Sequence, residues 1–98
     1  ACDVSDPESV RTALAAVAEP IHILVNCAGI GGVGPIASAD GPGDVAAMRK
    51  VIEVNLIGAI NVTAQAAHRM TQNAPDGPDG ERGVIVNTAS IAAFEGQV

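Results

Sequence analysis

The chain has 98 residues, of which 48% are hydrophobic and 1% aromatic, and it carries a formal charge of −6. That length supports one hydrophobic core, and a composition rich in Ala, Val and Ile suits helices packed closely on a sheet, not a disordered polymer. With 5 Lys and Arg there is no basic patch for nucleic-acid phosphates, and no apolar run approaches the roughly 20 residues that span a bilayer, so neither nucleic acid nor membrane is an expected partner.

Residues 1–4 read as the end of a strand. Ser5-Asp6-Pro7-Glu8 is a helix opening: a capping hydroxyl or carboxylate, then proline and an acid in the first turn. The spacing of Val10, Leu14 and Val17 predicts a helix over 7–18, with Arg11 and Glu19 facing water and Pro20 ending it. Residues 21–25 form a short β-branched run between Pro20 and Asn26-Cys27-Ala28-Gly29, the pattern of a parallel strand buried on both faces. Residues 31–44 are dense in glycine and contain Pro35 and Pro42, which predicts a loop or mobile lid.

Over 45–72, Met48, Val51, Ile52, Leu56, Ile60 and Val62 with intervening alanines predict one long helix that is apolar on more than one side. Residues 73–83 are a solvated turn region, and 84–87 the next buried strand. Alternating strands and helices predict an α/β fold: part of a Rossmann-like, doubly wound parallel sheet in three αβα layers. Cys2 and Cys27 lack CxxC spacing or a histidine arrangement for zinc, so no metal is expected and both read as reduced, partly buried thiols.

In open α/β sheets, ligands bind beyond the carboxyl ends of the strands. Those ends carry Asp3-Val4, Asn26-Cys27-Ala28-Gly29 and Thr88-Ala89-Ser90, all small or polar, as a crevice for a flat cofactor and a small substrate requires. His22 and His68 end no strand and read as structural or surface residues, and the glycines at 31–34 precede no helix bearing a phosphate-loop lysine.

Cys-Asp-Val, Val-Asn-Cys-Ala-Gly, Val-Asn-Leu-Ile-Gly and Ile-Val-Asn-Thr-Ala-Ser, in this order and at these separations, resemble the central motifs of the short-chain dehydrogenase/reductase family. The resemblance covers essentially the whole chain, and the stretch from Asn87 to Gln97 is particularly similar to the type-2 3-hydroxyacyl-CoA dehydrogenase subgroup. It implies that the Asp3 carboxylate and the Val4 backbone meet the cofactor's adenine, although residue type alone favours a helix-capping turn equally for Asp3. It implies that Asn26, Cys27, Ala28 and Gly29 prop the sheet and line the ribose side of the cofactor, with backbone freedom at Gly29. Cys27 stands where the family has a second Asn, a substitution the subgroup shares. Its thiol is read as packing, because no motif supplies a base to make it a nucleophile.

By the same resemblance Asn55 is catalytic, holding a water in a proton relay and disturbing its helix, and its apolar flanks argue against a merely solvated stripe. Ser90 is catalytic and substrate-binding: its hydroxyl bonds the reacting oxygen without carrying charge, whereas a serine after a strand, taken alone, is usually a turn residue. Gln97 is a second substrate contact.

The implied activity interconverts a secondary alcohol and a ketone with NAD, NADP being left open, on a 3-hydroxyacyl-CoA or similar acyl thioester substrate. A 3-oxoacyl-carrier-protein reductase and a non-catalytic scaffold of the same fold are the alternatives. A homo-oligomer, dimer or tetramer, is expected through the long helix, in the cytoplasm or the mitochondrial matrix. The family's phosphate-binding loop and its Tyr-Lys pair have no counterpart in these residues. The chain is therefore expected to be the central part, 1–98, of a single domain truncated at both ends and inactive alone.

Overall fold

The computed structural model describes residues 1–32 and 34–95. Its first element, α1, spans Pro7–Ala15 and opens as its sequence dictates: the Asp6 carboxylate accepts the Glu8 N–H at 3.0 Å and Pro7 occupies the first turn. The helix stops at Ala15, not at residue 18. The Val17 N–H turns back to Leu14 O at 3.1 Å, and the guanidinium of Arg69 collects the carbonyls of Leu14, Val17 (2.9 Å) and Glu19 (3.0 Å). A cation on the last carbonyls ends the helix before Pro20 can.

Residues 1–4 belong to no strand. Their backbone groups are bound by side chains in place of a ladder: the Asp3 N–H donates to Ser9 Oγ at 2.9 Å, and Val4 O accepts from Asn61 Nδ2 at 2.9 Å. Strand β1, Ile23–Asn26, pairs in parallel with β4, Val84–Asn87, in the register Ile23↔Val84 to Asn26↔Asn87. The segment expected to be a loop contains a small hairpin, β2 (Ala37–Ser38) and β3 (Gly41–Pro42). It is closed by the Gly43 N–H on Ile36 O at 2.7 Å, and Gly41, with φ 140°, turns where a side chain would be strained.

The long helix is continuous but not uniform. It runs as α2 (Val45–Ile52), a π-helical segment (Glu53–Gly58) and α3 (Ala59–Met70), and Asp44 caps its start by accepting the Ala47 N–H at 3.0 Å. Beyond it, the buried Asn73 amide donates to Ile21 O (2.7 Å) and Arg82 O (2.9 Å), tying the helix exit to the starts of both strands. Residues 76–81 form the expected turn, with Asp76 and Glu81 exchanging backbone bonds at 2.8 Å around Gly77 and Gly80 at φ 66° and 67°.

The core is small: Val10, Ala66 and Met70, where α1, α3 and the strands meet. The alternate residues Ile23, Val25, Val84 and Val86 are 68, 53, 49 and 47% exposed, so among the described residues helices cover one face of the pair, and burial of β1 on both faces is not seen. The radius of gyration is 17.2 Å, against about 13 Å for a compact chain of this length. Cys2 and Cys27 are both exposed free thiols, not partly buried ones. No described helix is long and apolar enough to cross a membrane, and no metal-ligating group is found among the described residues.

Because the Arg69 guanidinium supplies three carbonyls of the α1 end with charge-assisted bonds, Arg69→Ala should lower unfolding free energy by about 2 kcal/mol in urea denaturation. Arg69→Lys should fall between, and a loss below ~0.5 kcal/mol for Arg69→Ala would show that water replaces the guanidinium at no cost.

Candidate active site

The carboxyl ends of β1 and β4 are joined at Asn26. Its Nδ2 donates both to Asn87 Oδ1 on the neighbouring strand (2.8 Å) and to Thr63 Oγ1 on α3 (3.0 Å), while Asn26 O accepts the Thr88 N–H at 3.0 Å. One step further the Thr88 hydroxyl donates to Cys27 Sγ at 3.6 Å. The thiol thus meets a hydroxyl, and among the described residues no base bonds to it.

Ser90 follows in extended conformation and caps the 3-10 turn Ile91–Ala93, its Oγ accepting the Ala92 N–H at 3.1 Å. That bond uses a lone pair and leaves the hydroxyl hydrogen to donate elsewhere, and the side chain is exposed. Between the end of β4 and the long helix lies a cleft of about 430 Å³ lined by Asn55, Leu56, Ile60, Thr63, Asn87 and Thr88. A larger cleft of about 660 Å³ lies between the end of α1 and α3, bordered by Leu14, Val17, His68 and Arg69, away from every strand end.

Asn55 sits within the π-helical segment. Its Oδ1 accepts the Ile30 N–H at 2.8 Å and its Nδ2 donates to Ile30 O at 2.9 Å, a two-point pairing that fixes the chain just after Gly29. A π turn inside an α-helix is common at functional sites, because it re-aims a side chain that regular winding would point elsewhere. Gly29 itself has ordinary φ, and an added Cβ would meet Asn55 Oδ1 at 3.5 Å, an ordinary contact. The special backbone freedom expected at Gly29 is instead found at Gly32, with φ 105°.

At the start of the chain the Asp3 carboxylate accepts the Ser5 N–H (2.9 Å) and the Ser5 hydroxyl (2.7 Å) through Oδ1. Those two bonds hold its carboxyl below the usual range, with Lys50 a smaller contributor and desolvation acting against them. Asp6, not Asp3, is the helix cap. Among the described residues nothing bonds Asp3 Oδ2 or the Val4 N–H, so an ionised acceptor stands beside an open donor. That pair complements the edge of an aminopurine, which offers an amine hydrogen next to a ring nitrogen lone pair. The residues present therefore fit an adenine-bearing cofactor.

Asn26, Cys27, Asn55 and the run to Ser90 are connected through Asn87, Thr88 and Ile30, and Val4, held by the same long helix through Asn61, shares a cleft of about 320 Å³ with Asn26, Cys27 and Ala28. Ala28 is exposed between Cys27 and Gly29. Gln97 lies outside the described residues. Sequence reasoning missed Thr63, which anchors Asn26, and Asn61, which holds Val4. Asn61 gave the same signal as Asn55: an amide within a helix, flanked by Ile60 and Val62.

A family model described as short chain dehydrogenase matches residues 1–98. The chain is 43% identical over 101 residues to the 3-hydroxyacyl-CoA dehydrogenase type-2 of Bos taurus, covering 98% of this chain and 38% of that protein. It thus spans well under half the length of the curated relatives it matches. The crystal structure of a 3-hydroxyacyl-CoA dehydrogenase type-2 from Mycobacterium avium superimposes with a TM-score of 0.88 at 33% identity, over 100% of this chain and 39% of the other. A 3-oxoacyl-[acyl-carrier protein] reductase with bound NAD from Brucella melitensis gives 0.77 at 28% identity, over 99% and 35%.

Because Asp3 has its pKa lowered by bonds it accepts, it is ionised at neutral pH and loses its acceptor character only as pH falls through that lowered value. Ser5→Ala removes the hydroxyl bond, so the Asp3 titration followed by carboxyl-carbon NMR should move up toward the ordinary carboxylate range. An unmoved midpoint would show that the hydroxyl bond is absent in solution.

Proposed function

The chain belongs to the short-chain dehydrogenase family, with part of its Rossmann-like α/β fold, and from that premise we propose that the protein carrying it interconverts a 3-hydroxyacyl thioester and the 3-oxoacyl thioester with NAD. The observation that carries this reading is the strand-end serine. Ser90 spends a lone pair on the Ala92 N–H and keeps its hydroxyl hydrogen for a substrate oxygen, just beyond the strand whose end borders the Asn55 cleft.

In this reading a bound dinucleotide would supply the hydride chemistry at the carbinol carbon. The protein's residues bind, orient and polarise. Ser90 donates to the reacting oxygen and stabilises the charge that builds there. Asn55 spends one amide hydrogen and one lone pair on Ile30, keeping one of each to hold a water for proton transfer. Asp3 and the Val4 N–H take the adenine, Asn26, Cys27, Ala28 and Gly29 line the ribose side, and Gln97 is a further substrate contact.

The acyl thioester is supported by the names of the relatives, and the choice of NAD by the NAD-bound state of two solved neighbours, the Brucella melitensis reductase and a xylitol dehydrogenase. The same reading makes the protein a cytoplasmic dimer or tetramer assembled on the long helix, where Val45 and Ile52 are 67 and 54% exposed away from the Asn55 cleft.

The test is nicotinamide absorbance with the complete protein, comparing 3-hydroxyacyl-CoA substrates with 3-oxoacyl-carrier-protein substrates. Turnover is expected on the CoA series, and Ser90→Ala should lower kcat by about 10²-fold or more while leaving the KM for NAD unchanged. Absence of turnover on both series would make the protein a scaffold, and preference for the carrier protein would reassign its substrate.

A further inference from the structure

We infer that Asn61 is a positioning residue for the adenine end of the cofactor: by holding the Val4 carbonyl it aims the Val4 N–H and the Asp3 carboxylate at the base. This deepens the reading above and rests on its placement of adenine at Asp3 and Val4. The 3–4 peptide is held at its carbonyl, Asp3 O accepting the Asp6 N–H at 3.2 Å, and the groups on either side of it are bonded as well. The Asp3 N–H goes to Ser9 Oγ at 2.9 Å, Asp3 Oδ1 is taken by Ser5, and Val4 O receives Asn61 Nδ2 at 2.9 Å.

The orientation of the Asn61 amide is itself set. Gln65 Nε2 donates to Asn61 Oδ1 at 2.9 Å and to Pro7 O at 3.1 Å, so the oxygen faces Gln65 and the nitrogen must face Val4. Helix backbone closes the other side. Gly58 is buried, and a Cβ there would stand 2.5 Å from Val4 Cγ2 and 3.1 Å from Val4 Cβ. Gly58 also ends the π-helical segment, so the turn that directs Asn55 to Ile30 sets the phase that brings Gly58 and Asn61 to Val4. One helix therefore registers the two ends of the crevice. The group left open on this clamped peptide is the Val4 N–H, beside the unpaired Asp3 Oδ2, among the described residues.

A merely structural tie between loop and helix would affect folding but not which base is preferred. The discriminating probes are NAD and nicotinamide hypoxanthine dinucleotide, in which a carbonyl replaces the amine and the adjacent ring nitrogen carries hydrogen, inverting both bonding groups. Dissociation constants are measured by calorimetry on the complete protein. The wild type should favour NAD by about tenfold or more, the size of one to two lost hydrogen bonds. Asn61→Asp, which faces Val4 O with an acceptor in place of a donor, should bring that ratio close to one while leaving affinity for nicotinamide mononucleotide unchanged. Gln65→Ala, which only releases the brace on the Asn61 amide, should lower the ratio in the same direction and serves if Asn61→Asp does not fold. A wild-type ratio retained in a folded variant overturns the role of Asn61 and leaves the adenine site standing. A wild type that binds both dinucleotides equally overturns the adenine reading, and this inference with it.

Discussion

The candidate site depends first on the side-chain amide of Asn26. That group stands at the end of β1, half-buried, and its nitrogen binds Asn87 on the adjacent strand and Thr63 on the helix above. An amide in such a place has to satisfy both hydrogens, so it fixes two things together: the registration of the strand ends and the height of the helix over the sheet. Thr88 and Ser90 leave this junction on one side, Cys27 and the run to Ile30 on the other, and the cleft bordered by Asn55 is the space between them and the helix.

Directional bonds carry unusual weight in this chain because undirected burial is thin. Val10, Ala66 and Met70 are the buried hydrophobic residues among those described, and β1 and β4 are covered on one face. Apolar burial would favour many sliding arrangements of helix over sheet almost equally, since it depends on area and hardly on angle. Arg69 on the carbonyls of Leu14, Val17 and Glu19, Asn73 on Ile21 and Arg82, and Asn61 on Val4 select one. Each joins a side chain of the long helix or its exit to backbone outside that helix, and each would be left partly unbonded by a small slide.

The alternation of strand and helix, the parallel pairing and the Asp6-Pro7 opening were legible because they rest on local chemistry and on period. Where α1 ends was not: the group that ends it, Arg69, lies 55 residues from Leu14 in the chain. The hairpin at 37–42 was hidden by the glycine and proline around it, since its two-residue strands depend on a loop-closing bond between Gly43 and Ile36. Ile23 and Val25 read as buried on both faces because side-chain type reports preference for a sheet interior, whatever covers that sheet here. The strand-end positions of Asn26 and Ser90 were legible from order alone. The disturbance of the helix at Asn55 was legible as an amide among apolar flanks, but its two-point pairing with Ile30 was not, because the partner lies 25 residues away in the chain.

The π-helical segment gives the long helix something like a reading frame. Asn55 looks to Ile30 while Gly58 and Asn61 look to Val4, and these sightlines coincide only with the extra residue wound into Glu53–Gly58. Winding the same residues as regular α-helix, with none removed, would turn one half of the helix against the other by about 100°. One end of the crevice would keep its partner and the other would lose it. What the stretch has to conserve is therefore neither its composition nor its length alone but the match between its residue count and its winding.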